Sequence, residues 1–323
     1  MKYAPIAIFA FNRVDTLRRV LSNLSQCVNL SGEGQRKGYA FVDGPRNAED
    51  EPKIAEVIAE LEQFKKKQFP NLTVIEREKN LGNPVNMPGG IAMVLDLHGR
   101  AIIVEDDILV SKTFLSYMDS ALEKYEVDDR IWCINAWRSR YVKLPCHYQY
   151  DVYLNPRNMC WGWGTWKGRW DAVDLSMSDW DEYRRDQKNL DKLEKSGIDL
   201  PPMLESQSRG CLKAWDVQCS YHMAKEGLFA VEPRYALTKN IGFGDTASDH
   251  CSGGNSAISH AKYFNFNPRL VDFRTLHMQR GLMDGLFRYA YQDPRLISRL
   301  IRKVQRIWWG IGSWHDEPVD MSV

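Results

Sequence analysis

The stretch AIIVEDDILV, residues Ala101 to Val110, decides the fold. Four apolar residues run directly into Glu105, Asp106 and Asp107. A continuous apolar run with polar residues at its end is typical of a strand that is buried on both faces of a sheet. Three carboxylates at the end of such a strand are costly to bury unless something compensates their charge. The motif indicates either a site for a hard cation that carries a phosphate ester or a solvated turn that caps a helix near Lys112.

The bulk composition limits the class of protein. The chain has 323 residues, which is enough for one large domain or two small ones. Lys and Arg number 43 against 42 Asp and Glu, so no charge excess favours nucleic acid as a partner. The 11 tryptophans offer flat apolar faces that suit sugar or base stacking, but such residues also fill cores.

Cysteine usage and hydropathy bear on the compartment. The seven cysteines form no CxxC pair and their number is odd, which argues against a zinc site and a disulfide framework. A reducing compartment is the natural interpretation. The N-terminal residues lack the pattern of a signal peptide, and no run reaches the roughly 18 apolar residues that span a bilayer. These observations predict a cytoplasmic protein.

The first 137 residues alternate between strand and helix patterns. This alternation predicts βαβ units and a mostly parallel sheet flanked by helices, which is an α/β fold. Residues 80–90 are rich in Asn, Gly and Pro and are predicted to form a loop before a short helix over Ile91–Leu97. The predicted strands are residues 4–11, 39–42, 72–75, 101–104 and 131–137.

Three of these strands end in polar residues. They are Asn12-Arg13, Asp43, and the acidic triplet that begins at Glu105. Since ligands of parallel sheets bind outside the carboxyl ends of the strands, these side chains are predicted to face one crevice. The chain contains neither GxGxxG nor GxxxxGK[ST], which disfavours a dinucleotide Rossmann site and a P-loop NTPase.

The second half of the sequence differs from the first in composition and in pattern. Residues 138–275 are Trp-rich and irregular, with a predicted helix over Ala214–Glu226 and a strand over Leu228–Val231. Within it, Trp161 and Trp163 suit sugar platforms or ordinary core filling. The segment 240–256 is rich in Gly, Ser and Asp and is predicted to be a mobile loop.

The tail, residues 281–323, carries a basic amphipathic pattern. An apolar stripe runs from Leu296 to Trp308 between arginines and a lysine, and Trp309 and Trp314 follow. This pattern is typical of a helix at a membrane surface, which predicts peripheral membrane contact through residues 293–314. The alternative is a C-terminal helix that packs on the domain with its arginines in water.

Seven segments in order carry a resemblance to a known family. The chain resembles the GT-A glycosyltransferases of the N-acetylglucosaminyltransferase I type, and more closely their bacterial polysaccharide-synthesis relatives, over residues 4–250. EDD alone is a weak signal, but the whole ordered series is fairly specific. The segments are AIFAFNR, FVDG, AIIVEDDILVSKTFLSYM, DDRIWCINAW, WGWG, WDVQ and EPRYALTKNIGFG.

The resemblance implies a nucleotide-sugar donor, a divalent metal (Mn²⁺ or Mg²⁺) and inversion at the anomeric carbon. The metal ligand would be Asp107, the general base on the acceptor hydroxyl would be Asp216, and the loop Gly242–His250 would close over the diphosphate. His250 is a candidate for reaching the metal or a phosphate oxygen. The donor-binding residues would be Arg13 and Asp43 at the nucleotide, Asp106 at the ribose, Glu105 at the donor sugar and, as stacking platforms, Trp161 and Trp163.

The chain departs from the family in the loop before the central strand. A histidine that helps to hold the base is absent there, and the loop reads NLGNPVNMPGG. Asn80, Asn83 or Asn86 could substitute by hydrogen bonding, so UDP is the expected but not the established donor nucleotide.

The sequence thus predicts a GT-A domain over residues 1–280, with a nucleotide-binding half (1–137) and an acceptor-binding half (138–275). The predicted activity is metal-dependent, inverting transfer of a hexose or N-acetylhexosamine to a glycan or polyprenyl-linked glycan in cell-surface polysaccharide biosynthesis. Two alternatives stay open. One is a nucleotidyltransferase that makes the sugar nucleotide, although the position after strand one holds only Asn-Arg-Val-Asp instead of a Gly-rich basic loop. The other is a non-catalytic glycan-binding protein on a transferase scaffold.

Overall fold

A computed structural model describes residues 3–30, 36–139, 142–144, 148 and 150–242. In its first part, strands and helices alternate as β1 (Ile6–Ala10), α1 (Val14–Ser25), β2 (Gly38–Val42), α2 (Asp50–Lys67), β3 (Leu72–Glu76), α3 (Asn83–His98), β4 (Arg100–Glu105), β5 (Ile108–Val110), α4 (Phe114–Lys124) and β6 (Ile131–Asn135). The second part contains β7 (Val152–Asn155), β8 (Trp163–Trp166), α5 (Lys167–Asp171), α6 (Trp180–Tyr183), α7 (Gln187–Ser196), α8 (Leu200–Ser208), α9 (Asp216–Glu226), β9 (Phe229–Pro233) and β10 (Thr238–Asn240).

One large sheet organises these elements. Its eight strands lie in the order β3-β2-β1-β4-β8-β6-β9-β7, and β5 and β10 form a separate two-stranded ribbon. In the large sheet only β7 and β8 run against the other strands. The predicted fold class, an α/β protein with a mostly parallel sheet flanked by helices, is confirmed. The predicted C-terminal helical tail lies outside the described residues.

The two faces of the sheet bury different helices because side chains alternate along a strand. On one face, residues such as Ile8 and Val104 pack with the buried sides of α1, α2 and α4. On the other face, residues such as Phe9 and Ile103 pack with α3, α5 and α9. A smaller apolar cluster joins α6, α7, α8 and the outer side of α9.

The prediction of a loop over residues 80–90 was wrong. Helix α3 already begins at Asn83, directly after Gly82, which has a positive φ of 71°. Pro84 lies in the first turn, where its missing N–H costs nothing, and Pro88 lies inside the helix. The Pro and Gly residues that indicated a loop therefore belong to a helix whose buried side packs on the sheet.

Two further expectations concern the described part of the chain. No helix there is long and apolar enough to cross a membrane. The five cysteines that fall within it are all free thiols, in agreement with the predicted absence of a disulfide framework; Cys146 and Cys251 lie outside the described residues.

The second half of the sheet buries a carboxylate, Glu232 on β9, with 0% exposure. Its Oε2 accepts hydrogen bonds from the Tyr153 hydroxyl and from Asn155 Nδ2, the latter at 3.0 Å. Burial raises the pKa of Glu232 from 4.5 to about 7, although these hydrogen bonds oppose the shift.

We expect the free energy of unfolding to fall as pH rises from about 4.5 to about 7, because the folded chain binds the Glu232 proton more tightly than the unfolded chain does. The pKa difference corresponds to as much as about 3 kcal/mol. Glu232→Gln keeps an acceptor oxygen for Tyr153 and Asn155 but cannot ionise. Urea unfolding at several pH values should therefore show a smaller loss of stability in this variant than in the wild type. Equal pH dependence in both proteins would contradict the prediction.

Candidate functional site

The acidic triplet marks the carboxyl end of β4. Glu105 is the last residue of the strand, and Asp106 and Asp107 form the turn into β5. Helix α4 begins only at Phe114, so the alternative of a helix-capping acidic turn does not apply. The Asp106 amide donates to the Phe9 carbonyl at 2.9 Å, which extends the β1–β4 pairing past the strand end. The acids are thus fixed by the central ladder of the sheet.

Arg13 supplies the cation at this strand end. It lies at the start of α1, just after β1, and its Nη2 contacts Asp106 Oδ1 and, at 3.0 Å, Asp107 Oδ2. Burial by itself would lower the pKa of Arg13, but the two carboxylates outweigh it and raise that pKa. Its Nη1 is buried and has no hydrogen-bond partner among the described residues. The predicted meeting of Arg13 with the acids is therefore observed, whereas a shared crevice that includes Asp43 stays a prediction.

The carboxylates outnumber this cation. Burial raises the pKa of Asp106 to about 6 despite the opposing field of Arg13, and it also raises the pKa of Asp107. The pKa of Glu105 lies well above its ordinary value, first through burial and then through the charges of Asp107, Asp106 and Asp216. A site with several carboxylates around one guanidinium has a surplus of negative charge and suits a further cation.

Asp216 belongs to the other half of the chain and lies near the acidic triplet. It is the first residue of α9, and it lies close enough to Glu105 to raise the pKa of that carboxyl. Its Oδ2 accepts a hydrogen bond from the Cys160 thiol at 3.6 Å. Sequence reasoning did not select Cys160. Its place directly before the WGWG segment was the only available signal, because its partner lies 56 residues away.

Asp43, at the end of β2, anchors a loop. Its carboxylate accepts hydrogen bonds from the amides of Leu81 and Gly82, both at 2.8 Å, and from Asn80 Nδ2 at 3.3 Å. Both oxygens therefore hold the segment that leads into α3. The predicted contact of Asp43 with a nucleotide stays a prediction.

The asparagines considered as substitutes for the absent histidine differ in their surroundings. Asn80 donates to Asp43 and to the Gly44 carbonyl, and the Asn86 side-chain oxygen accepts from Arg77. Asn83 is exposed at the first residue of α3. Of the three, Asn83 has the side chain most open to a ligand.

The two candidate sugar platforms also differ. Trp163 is 0% exposed, and its ring stacks with Trp132 and with Trp215, with ring centroids 5.6 Å apart in each pair. Its faces are thus covered by other indoles, which is the core-filling alternative, and a sugar cannot stack there. Trp161 is partly buried, with its ring edge-on to Trp137, and stays a candidate.

Directly after β10, the backbone passes next to Asp107 of the acidic triplet. The Ile241 amide donates to the Asp107 carbonyl at 2.9 Å, and the Gly242 amide donates to Asn240 Oδ1 at 2.7 Å. A Cβ at Gly242 would lie 2.1 Å from Asp107 Oδ2. Glycine is therefore required for the backbone to pass this close to the carboxylate. The rest of the predicted closing loop, including His250, lies outside the described residues.

We expect Gly242→Ala to push the Asp107 carboxylate away from Arg13 and to lower the free energy of unfolding by about 1–3 kcal/mol, as overpacking does. Gly89→Ala on α3 is the matched control, because a Cβ there meets nothing within 4 Å. That variant should gain about 0.5–1 kcal/mol from helix propensity. Urea unfolding of both variants tests the prediction, and an undiminished stability of Gly242→Ala would contradict it.

The donor set fits a hard divalent cation in part. Carboxylate oxygens are the ligands that Mg²⁺ and Mn²⁺ prefer, and the surplus of negative charge at β4 provides them. Yet no group of three His, Cys, Asp or Glu side chains among the described residues could hold a metal alone. A divalent ion at this strand end would therefore need further ligands in addition to the side chains of the described residues.

No protein-family profile and no curated protein matches the chain. Similar solved structures include a mannosyltransferase of Pyrobaculum calidifontis in complex with GDP-mannose and Mn²⁺, at 10% identity and a TM-score of 0.36, over 52% of this chain and 46% of that one. They also include a fragment of S. aureus TarS (residues 1–349), at 12% identity and a TM-score of 0.43, over 74% of this chain and 60% of that one. The same fragment in complex with UDP gives 13% identity and a TM-score of 0.30, over 48% and 36%. The chain thus spans less than two thirds of each of these proteins, and the function proposed below rests on the geometry of the site.

Proposed function

We propose that the protein is a glycosyltransferase that moves a sugar from a nucleotide-diphosphate donor to a hydroxyl of a glycan acceptor, with inversion at the anomeric carbon. One observation carries this proposal. At the carboxyl edge of a mostly parallel sheet, Arg13 contacts two of the carboxylates that follow β4, and Asp216 at the start of α9 lies close enough to Glu105 for their charges to interact. The resemblance of the ordered motifs supports the same activity.

The donor half would bind the nucleotide diphosphate. The buried Nη1 of Arg13, which has no hydrogen-bond partner among the described residues, suits an oxygen of the nucleotide. The resemblance assigns the ribose to Asp106, which is 2% exposed and whose carboxylate contacts Arg13 and the Phe11 amide. Asp107 would hold the divalent ion together with the diphosphate. When bound, this ion neutralises the negative charge that develops on the leaving diphosphate. UDP is the proposed nucleotide.

The reaction requires a base because a sugar hydroxyl is a poor nucleophile. In the proposed step the acceptor oxygen forms a bond to the anomeric carbon while the bond to the diphosphate oxygen breaks. The hydroxyl proton passes to the Asp216 carboxylate, and the bonding electrons leave with the diphosphate. Glu105, whose pKa is raised by burial and by the neighbouring carboxylates, would contact a hydroxyl of the donor sugar.

The proposed acceptor rests on the sequence of the tail. The basic amphipathic sequence of residues 293–314 suits a membrane surface. We therefore propose a polyprenyl-linked or polysaccharide acceptor at the inner face of a membrane, with a hexose or N-acetylhexosamine as the transferred sugar.

Thermal stability in the presence of UDP, GDP, UDP-glucose, UDP-N-acetylglucosamine and GDP-mannose, each with Mn²⁺ or with EDTA, tests the donor site. A ligand present at 100 times its Kd stabilises the native state by about 2.7 kcal/mol. We expect a metal-dependent rise of the midpoint for UDP and its sugars, and its loss in Asp107→Ala. Asp96→Ala is the control, since Asp96 pairs with Lys167 on the surface of α3 and should leave the rise intact.

Other outcomes would reject the proposal. If no nucleotide raises the midpoint with or without Mn²⁺, the transferase assignment fails and a glycan-binding role takes its place. If the protein releases pyrophosphate from a nucleoside triphosphate and a sugar phosphate, it is a nucleotidyltransferase. Release of UDP from a UDP-sugar that requires Asp216 would support the proposed chemistry.

A further inference from the structure

The Cys160 thiol contacts the candidate base, but neither the sequence motifs nor the proposed roles include it. It donates to Asp216 Oδ2 at 3.6 Å, and among the described residues it is the only side chain that hydrogen-bonds this carboxylate. We propose that Cys160 is a positioning residue that fixes the orientation of the Asp216 carboxylate toward the acceptor hydroxyl. This inference rests on the proposed function, in which Asp216 is the base.

The backbone around Cys160 is held on several sides. The Gly162 amide donates to the Cys160 carbonyl at 3.0 Å, which closes a tight turn. The neighbouring Met159 amide donates to Asn135 Oδ1 at 3.3 Å, and Thr238 Oγ1 donates to the Trp161 carbonyl at 2.7 Å. The turn is thus tied both to the end of β6 and to β10. A thiol on such a segment has little freedom to move away from Asp216.

The turn itself depends on a glycine. Gly162 has a positive φ of 80°, and a Cβ there would lie 2.7 Å from Thr238 Cγ2. Only glycine accepts this conformation and this close approach without strain. The need for glycine at this position shows that the backbone of the Cys160 turn has one specified geometry, which restricts where the thiol can lie.

The Asp216 carboxylate needs a restraint of this kind because of its position at the end of a helix. It is the first residue of α9, so its side chain projects from the end of the helix and can rotate. Glu105 on β4 lies near Asp216, and the two carboxylates repel each other when both are ionised. A hydrogen bond from Cys160 selects one rotamer against this repulsion.

A thiol suits this task better than a stronger donor would. The S–H group is a weak donor, so it can orient a carboxylate while withdrawing little of its basicity. Burial, followed by the charges of Asp216 and Glu105, raises the pKa of the Cys160 thiol well above its ordinary value. The donor proton therefore stays on sulfur through the neutral pH range.

The kinetic test uses release of UDP from the UDP-sugar that stabilises the protein most. Cys160→Ala should lower kcat by on the order of tenfold, with little change in the donor KM, because a misplaced base slows only the chemical step. Cys160→Ser should recover part of the rate. Cys211→Ala is the control, since Cys211 is exposed and its thiol contacts the Arg209 carbonyl instead of Asp216, and it should match the wild type.

Rescue by the conservative variant separates positioning from a merely structural effect. Serine keeps a hydroxyl donor near the Asp216 carboxylate, so Cys160→Ser should restore part of the kcat that Cys160→Ala loses, with the donor KM unchanged in both variants. A wild-type kcat in Cys160→Ala, with activity lost in Asp216→Asn, would overturn the inference but leave the transferase proposal standing.

A second measurement does not depend on turnover. The rate of Cys160 alkylation by iodoacetamide, followed by peptide mass spectrometry between pH 7 and pH 11, reports the ionisation of the thiol. Removing the carboxylate charge in Asp216→Asn should shift this alkylation profile toward lower pH by about 1 unit. An unchanged profile would overturn the contact and with it the positioning role, even if no donor is turned over and the proposed function itself fails.

Discussion

The candidate site depends on one ion pair between two neighbouring strand ends. Because β1 pairs with β4 in register, with Phe9 opposite Glu105, the residues after each strand meet: Arg13 on one side, Asp106 and Asp107 on the other. Buried carboxylates next to one another repel, and a guanidinium that contacts two of them at once offsets much of that cost. The same contact fixes where α1 begins. The register of the central ladder therefore sets both the charge balance of the site and the direction of the chain that leaves β1.

The second half of the chain completes the site because β8 is inserted into the first half's sheet. It runs between β4 and β6 and against both, so the residues before it lie at the same edge as the acidic triplet. Trp163, its first residue, stacks on Trp215, which directly precedes Asp216. Packing of large aromatic faces thus determines where α9 begins. The tryptophans that suggested sugar platforms act in part as the scaffold that brings Asp216 to the carboxylates of β4.

Local patterns in the sequence were sufficient to predict the parallel sheet and its acidic strand end. An apolar run followed by charges, and strands alternating with amphipathic helices, are properties of neighbouring residues. Two features could not be found in this way. Pro and Gly predicted a loop where Gly82 and Pro84 start α3, since propensity does not record that the helix gains burial against the sheet. The Cys160–Asp216 contact joins residues that only the insertion of β8 brings together.

Protons, Arg13 and an added cation are alternative partners for the same carboxylates. Burial raises the pKa of Asp106 to about 6 because one guanidinium does not balance all the charge at the end of β4. A dication placed there would favour the ionised carboxylates, so its binding would release protons and would weaken as pH falls. It would also compete with Arg13 for Asp107, and the displaced guanidinium would lie next to a phosphate-bearing ligand. In the proposed function, the surplus of acid that destabilises the isolated strand end is what would attract a cation together with its phosphate ligand.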